Sequence, residues 1–200
     1  TLGSAGAAII AAERGVDLSD LKWRRETGTA LASNSHLAHL VGCNGFFTAL
    51  VRSARMRGDA ELAEWWSARR CAAAWGEAVR SDGYGVWVEG GWRRPFLFEF
   101  DLASERLAQL EAKLGGYALP FRVAGYPTWV LFSFPTRGRE TAARRVLVHP
   151  AVPVATAVLP AAQSPDGAVW MAVGGSGPRR RLADLGHPAA VLEQLQMRPE

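Results

Sequence analysis

Two carboxylates stand in an otherwise apolar segment, FLFEFD at residues 96–101. Alternation along an extended strand places the three phenylalanines on one face and Leu97, Glu99 and Asp101 on the other. The two acids then point the same way, about 7 Å apart by the rise of a strand. A pair of carboxylates on one face can hold a divalent cation or serve in acid–base chemistry.

A third carboxylate, Asp82, precedes this strand in a segment that predicts its antiparallel partner. Gly90 and Gly91 have turn chemistry between two alternating stretches, so residues 84–101 are predicted to form a β-hairpin. A turn centred on the two glycines places Asp82 close to opposite Glu99. Three carboxylates would converge at one end of the sheet.

Such a cluster of acids needs a nearby positive charge to remain ionised, because like charges within a few ångströms repel and shift each other's pKa. Oxygen ligands of this kind favour Mg²⁺ or Mn²⁺. A metal held by Asp82, Glu99 and Asp101 could activate water and stabilise charge on a phosphoryl oxygen. Phosphodiester cleavage is the reaction that this arrangement suggests, and a solvated hairpin end is the structural alternative.

The helix predicted after the hairpin adds two further candidates. Lys113 and Tyr117 are four residues apart, so they share one helical face. Either side chain could steady a phosphate or orient a water. A solvated lysine and a core tyrosine with a hydrogen-bonded hydroxyl are the alternatives without a catalytic role.

The elements that would position these residues alternate between helix and strand. Residues 33–57 carry apolar positions at helical spacing, residues 61–70 favour a strand, and an irregular approach leads into the hairpin. Helices at 104–119 and 136–148 separate apolar strands near 126–135 and 152–160, and residues 167–173 form a last strand or edge. The order predicts a three-layer α/β domain, with helices on both faces of a mixed sheet.

Several of these segments together resemble the replication-relaxation family of plasmid and mobile-element proteins. The resemblance lies in DGYG (82–85), FLFEFD and LEAKLGGYA (110–118), and in LASNSHLAHLVGCNGFFTAL and EWWSARRCAAAWGEAVRSDGYG before them. It covers roughly residues 1–185. It implies a restriction-endonuclease-like fold of the PD-(D/E)XK class, usually preceded by a winged helix-turn-helix domain.

The resemblance also implies a domain division and a site. Residues 1–32 would be the remaining helix and connector of the winged-helix domain, 33–177 the nuclease-like domain, and 178–200 a basic tail. Asp82 matches the first acid of the nuclease pattern and Glu99 the second.

The chain departs from the nuclease pattern at two positions. Ser81 replaces the proline, and Asp101 stands where the pattern has a lysine. Lys113 could supply the missing amine from the helix, or three acids could hold the metal without it. Catalysis could also be lost and only binding remain. Members of one relaxase class in the family look similar in having a D…E-x-(E/D) arrangement.

Basic residues are candidates for contacts with DNA phosphates. Arginine accounts for all but two of the 23 basic residues, and the net charge is +4. Arginine suits phosphate oxygens, although a genome rich in G and C would give the same bias. The candidates in two basic stretches are Arg137, Arg139, Arg144, Arg145, Arg179, Arg180 and Arg181. Solvated surface is the equal alternative.

Composition limits the other function classes. No run reaches the roughly 18 apolar residues of a membrane span, and no secretory signal is recognisable. Cys43 and Cys71 lie in unrelated patterns that support neither a disulfide framework nor a zinc site. We therefore expect a cytoplasmic protein with DNA as its partner. It is either a metal-dependent nicking or relaxing endonuclease or an inactive nuclease-like scaffold that binds DNA, a protein partner or a second copy of itself.

Overall fold

The computed structural model describes residues 4–20, 35–76, 79–124, 128–149, 152–159 and 163–188. The helices within these ranges are α1 (Ser4–Arg14), α2 (Ser35–Arg57), α3 (Ala68–Trp75), α4 (Leu107–Ala124) and α5 (Arg137–Arg144). The strands are β1 (Ala60–Ser67), β2 (Gly83–Glu89), β3 (Trp92–Phe100), β4 (Trp129–Phe134), β5 (Val154–Val158) and β6 (Met171–Ala172). The chain divides into two compact units, Thr1–Gly42 and Cys43–Glu200, and the second contains the whole sheet.

The six strands form one mixed sheet in the order of the chain, β1-β2-β3-β4-β5-β6. Strands β1, β2 and β3 are antiparallel neighbours, β3, β4 and β5 are parallel, and β6 closes the sheet antiparallel to β5. In the hairpin, Gly83 lies opposite Phe98 and Glu89 opposite Trp92. The predicted register is therefore confirmed, and Gly90 and Gly91 supply the turn with φ values of 58° and 77°.

Alternation along β3 separates two hydrophobic cores. Phe96 and Phe98 pack with Phe46, Phe47 and Leu50 of α2 on one face. Leu97 packs on the other face with Leu110, Leu114 and Tyr117 of α4, together with Ala143 of α5. The crossovers through α4 and α5 step across the sheet in the same direction, so right-handed connections place both helices on one face. The predicted three-layer α/β class is confirmed.

One boundary differs from the expectation for residues 61–70. The strand ends at Ser67, and Ala68–Trp75 forms α3 where the sequence suggested strand followed by an irregular segment. Ser67 caps the helix, because its hydroxyl accepts a hydrogen bond from the Arg70 N–H at 3.4 Å. Gly76 ends it with a φ of 72°. The serine in the middle of EWWSARR is the signal for this helix start.

Two glycines provide a matched test of the packing between α2 and the sheet. A Cβ on Gly85 would lie 2.5 Å from the Phe96 ring and 3.1 Å from the Phe47 ring, whereas a Cβ on Gly45 of α2 would meet nothing within 4 Å. We expect Gly85→Ala to lower the free energy of unfolding by about 2 kcal/mol through overpacking. Gly45→Ala is expected to raise it by about 0.5–1 kcal/mol through helix propensity. Urea denaturation measures both, and equal effects of the two substitutions would contradict the packing described here.

Candidate functional site

Glu99 is the most buried of the three predicted acids. It lies on the α4 face of β3 with 2% of its surface exposed. The Lys113 Nζ donates to its Oε2 at 3.0 Å, and the Tyr117 hydroxyl donates a short hydrogen bond to its Oε1. The four-residue spacing on α4 therefore brings both predicted helical residues onto the same carboxylate.

Burial decides the protonation behaviour of this group. It raises the pKa of Glu99 to about 7, and the negative charge of Asp82 acts in the same direction. Lys113 and the Tyr117 hydroxyl lower the pKa of Glu99, and they offset only part of the desolvation. The pKa of Tyr117 is raised by burial and then by the charge of Glu99. This direction keeps the phenol protonated and makes it a hydrogen-bond donor rather than a nucleophile.

Asp82 lies at the end of the hairpin, directly before β2. Its backbone N–H donates to the Phe98 carbonyl at 3.1 Å, and its Oδ2 accepts from the Phe100 N–H at 2.8 Å. The side chain thus extends the antiparallel ladder beyond the last paired residues. Its charge is close enough to act on the pKa of Glu99, as the register predicted.

Asp101 is held by a different helix. Its backbone N–H donates to the Ser133 carbonyl at 2.9 Å, and its carboxylate receives two bonds from Arg139, at 2.7 and 3.2 Å. The side chain of Asp101 has only 2% of its surface exposed. Arg139 also donates to the Glu105 carbonyl, and Lys113 Nζ lies 3.1 Å from Glu105 Oε2. Lys113 and Arg139 therefore meet at Glu105, which links the two buried acids.

These contacts bear on whether Asp82, Glu99 and Asp101 fit a divalent cation. Each oxygen of Glu99 accepts a bond from the protein, and Arg139 binds both oxygens of Asp101. The lysine and the arginine supply the positive charge that a metal would otherwise supply. A Mg²⁺ or Mn²⁺ ion would therefore compete with Lys113, Tyr117 and Arg139 for these oxygens, and the metal-binding role of Asp82, Glu99 and Asp101 stays a prediction.

The seven predicted phosphate-binding arginines separate into two groups. Arg137, Arg145 and Arg180 are exposed. The others make internal contacts: Arg139 with Asp101, Arg181 with Glu89, Arg179 with Glu140 at 2.6 Å, and Arg144 with the Met171 and Ala172 carbonyls, both at 2.8 Å. Arg144 therefore binds β6, whereas Arg137 and Arg145 in the same basic segment are exposed. The DNA-binding roles of these arginines stay predictions.

Glu140 is a buried acid that sequence reasoning missed. It has 3% of its surface exposed and binds Arg179 and the Thr156 hydroxyl, the latter at 2.7 Å. Burial acts to raise the pKa of Glu140, and the bonds from Arg179 and Thr156 more than offset it and lower the pKa. A lone acid within RGRETAARR was the available signal. It shows that this basic segment contributes to the interior as well as to the surface.

Comparison with known protein families identifies the family of this chain. No curated protein matches the chain. No described helix is long and apolar enough to cross a membrane. The replication-relaxation family model matches residues 1–127, more than half of the chain, and this range includes the site residues from Asp82 to Tyr117. The chain therefore belongs to the replication-relaxation family, which places it in the DNA processing of plasmids and mobile elements and implies interaction with DNA.

Proposed function

We propose that this chain is a DNA-binding factor of plasmid or mobile-element processing, and that its acidic core is a structural scaffold rather than a cleavage site. One observation carries the proposal. Lys113 and Tyr117 bind the two oxygens of Glu99, the second acid of the nuclease pattern, which is 2% exposed.

The position of Asp101 supports the same conclusion. The PD-(D/E)XK pattern has a lysine at this position. Here the residue is an acid, and the cation that accompanies it is Arg139 from α5. The guanidinium is directed into the domain, where it binds Asp101 and the Glu105 carbonyl. Its charge stabilises a buried carboxylate.

The family and the exposed arginines support binding to DNA. Arg137 begins α5 and Arg145 follows its last residue, and both are exposed. Arg180 is exposed beside Trp170, with which it forms a β-bridge. Arginines of this kind contact phosphates without reading sequence. We expect a binding mode that depends strongly on salt.

A plasmid assay tests both halves of the proposal. We expect the protein to bind supercoiled plasmid, and its affinity to fall by more than tenfold between about 50 and 200 mM salt. We expect no conversion to nicked or linear DNA in Mg²⁺ or Mn²⁺. Glu99→Gln should bind DNA as the wild type does, since Glu99 is buried. Absence of binding at low salt would overturn the DNA-binding half, and cleavage that depends on Glu99 would overturn the scaffold half.

A further inference from the structure

We propose that the groove between α2 and the edge strand β1 binds single-stranded DNA. The groove has a volume of about 330 Å³ and is lined by Thr48, Val51, Arg52, Arg55, Met56 and Trp65. It lies on the α2 face of the sheet, whereas Glu99 and Lys113 lie on the α4 face. The inference rests on the proposed interaction with DNA and names a surface for it.

Trp65 gives the groove an aromatic platform. Its ring stacks on Phe47 with centroids 5.1 Å apart and planes inclined by 13°. Phe47 is 1% exposed and fixed in the core, yet Trp65 remains 39% exposed. One face of the indole is therefore covered by Phe47, and more than a third of the residue is left exposed for contact with a planar group. A nucleic-acid base stacked there would continue an ordered aromatic column at little entropic cost.

Two arginines give the groove its charge. Arg52 and Arg55 are exposed and three residues apart on α2, so they lie on one helical face. Neither forms an ion pair among the described residues, and none of the six lining residues is acidic. A strip of positive charge beside an aromatic platform suits a phosphate backbone whose bases can turn toward Trp65. Val51 and Met56 by themselves would also suit an apolar peptide. The charge of the two arginines favours a polyanion instead.

The geometry also distinguishes single strands from duplex. In a duplex the bases are already stacked on one another, so an indole at the surface has no free base to cover. Single-stranded DNA exposes its bases and loses little when one of them moves onto an aromatic side chain. We therefore expect the groove to prefer single strands, such as those that arise when plasmid strands separate.

Fluorescence anisotropy with a labelled single strand of about 20 nucleotides tests the proposal. Trp65→Ala should weaken binding by about tenfold or more, and Trp65→Phe should retain most of it because the ring stays. Trp92→Ala is the matched control, since Trp92 is 65% exposed at the far end of the hairpin. It should leave the affinity unchanged. Equal losses in Trp65→Ala and Trp92→Ala would overturn the proposal.

Reversal of the charges of Arg52 and Arg55 is a second test of the groove, and it does not disturb the core. We expect the double variant Arg52→Glu, Arg55→Glu to weaken single-strand binding at least tenfold more than Arg69→Glu, Arg106→Glu, a control pair that is also exposed. This arm decides the question if Trp65→Ala fails to fold. Equal effects of the two pairs, with duplex binding intact, would overturn the groove and leave the proposed function standing. A protein that binds neither single strands nor duplex would overturn both.

Discussion

Replacement of Lys113 by Met is expected to lower the free energy of unfolding by about 1–3 kcal/mol at about pH 8, from the lost hydrogen bond and from the charge or protonation of Glu99 without its cation. The substitution keeps a long side chain on α4 and removes the ammonium that lies 3.0 Å from Glu99 Oε2. Glu99 would then be a buried carboxylate that keeps the Tyr117 hydroxyl as a hydrogen-bond donor but has lost its cation. At about pH 5 the loss should be smaller, because Glu99 can take up a proton instead of remaining charged.

A second substitution at Glu99 shows whether the stability lost in Lys113→Met comes from charge or from packing. In the double variant Glu99→Gln, Lys113→Met, the buried carboxylate is replaced by a neutral amide, so most of the lost stability should return. Ala112→Met, at the exposed neighbouring position on α4, is the control and should change the free energy of unfolding by less than about 0.5 kcal/mol. Urea denaturation of the wild type, the two single variants and the double variant gives the coupling between residues 99 and 113. A double variant no more stable than Lys113→Met would show that Glu99 is not the cause of the loss.

The second large effect is a dependence of stability on pH that comes from Glu99. Its pKa is raised from the ordinary value of 4.5 to about 7, chiefly by burial. The folded state therefore binds a proton that the unfolded state has released between these two values. The favourable contribution is fully present below about pH 4.5, declines as the pH rises, and is lost above about pH 7. The separation of the two pKa values corresponds to about 3 kcal/mol.

Comparison of the wild type with Glu99→Gln isolates this contribution from the other titrating groups. The amide of the variant does not titrate, so the variant should gain about 3 kcal/mol relative to the wild type between about pH 4.5 and pH 8. The measurement is the free energy of unfolding in urea at several pH values across that range. Parallel curves for the two proteins would mean that Glu99 keeps an ordinary pKa and that its burial is compensated.

Local patterns in the sequence predicted the part of the site that lies on the hairpin and on α4. The Gly90-Gly91 turn fixes the register, and the register brings Asp82 toward Glu99. The four-residue spacing of Lys113 and Tyr117 places both on one face of the helix. Each of these predictions depends only on the repeat of side chains along one helix or strand, or on the geometry of one turn.

The ion pairs of the buried acids join residues that are far apart in the chain, so local sequence patterns do not predict them. Arg139 is 38 residues from Asp101 along the chain, and Arg179 is 39 residues from Glu140. Nothing in a basic stretch states which arginine turns inward, because that choice depends on the acids that the fold brings beneath it. The seven arginines therefore look alike in the sequence, although four of them bind groups of the protein itself.

Incubation of supercoiled plasmid with Mn²⁺ and either the wild type or Glu99→Gln tests the central claim most directly. The claim is that Lys113, Tyr117 and Arg139 bind Glu99 and Asp101, so that neither acid is left to organise a catalytic metal. The expected result is plasmid that is bound by both proteins and remains supercoiled with both. Nicking by the wild type that disappears in Glu99→Gln would contradict the account, because it would require Glu99 to leave its internal partners and act in cleavage.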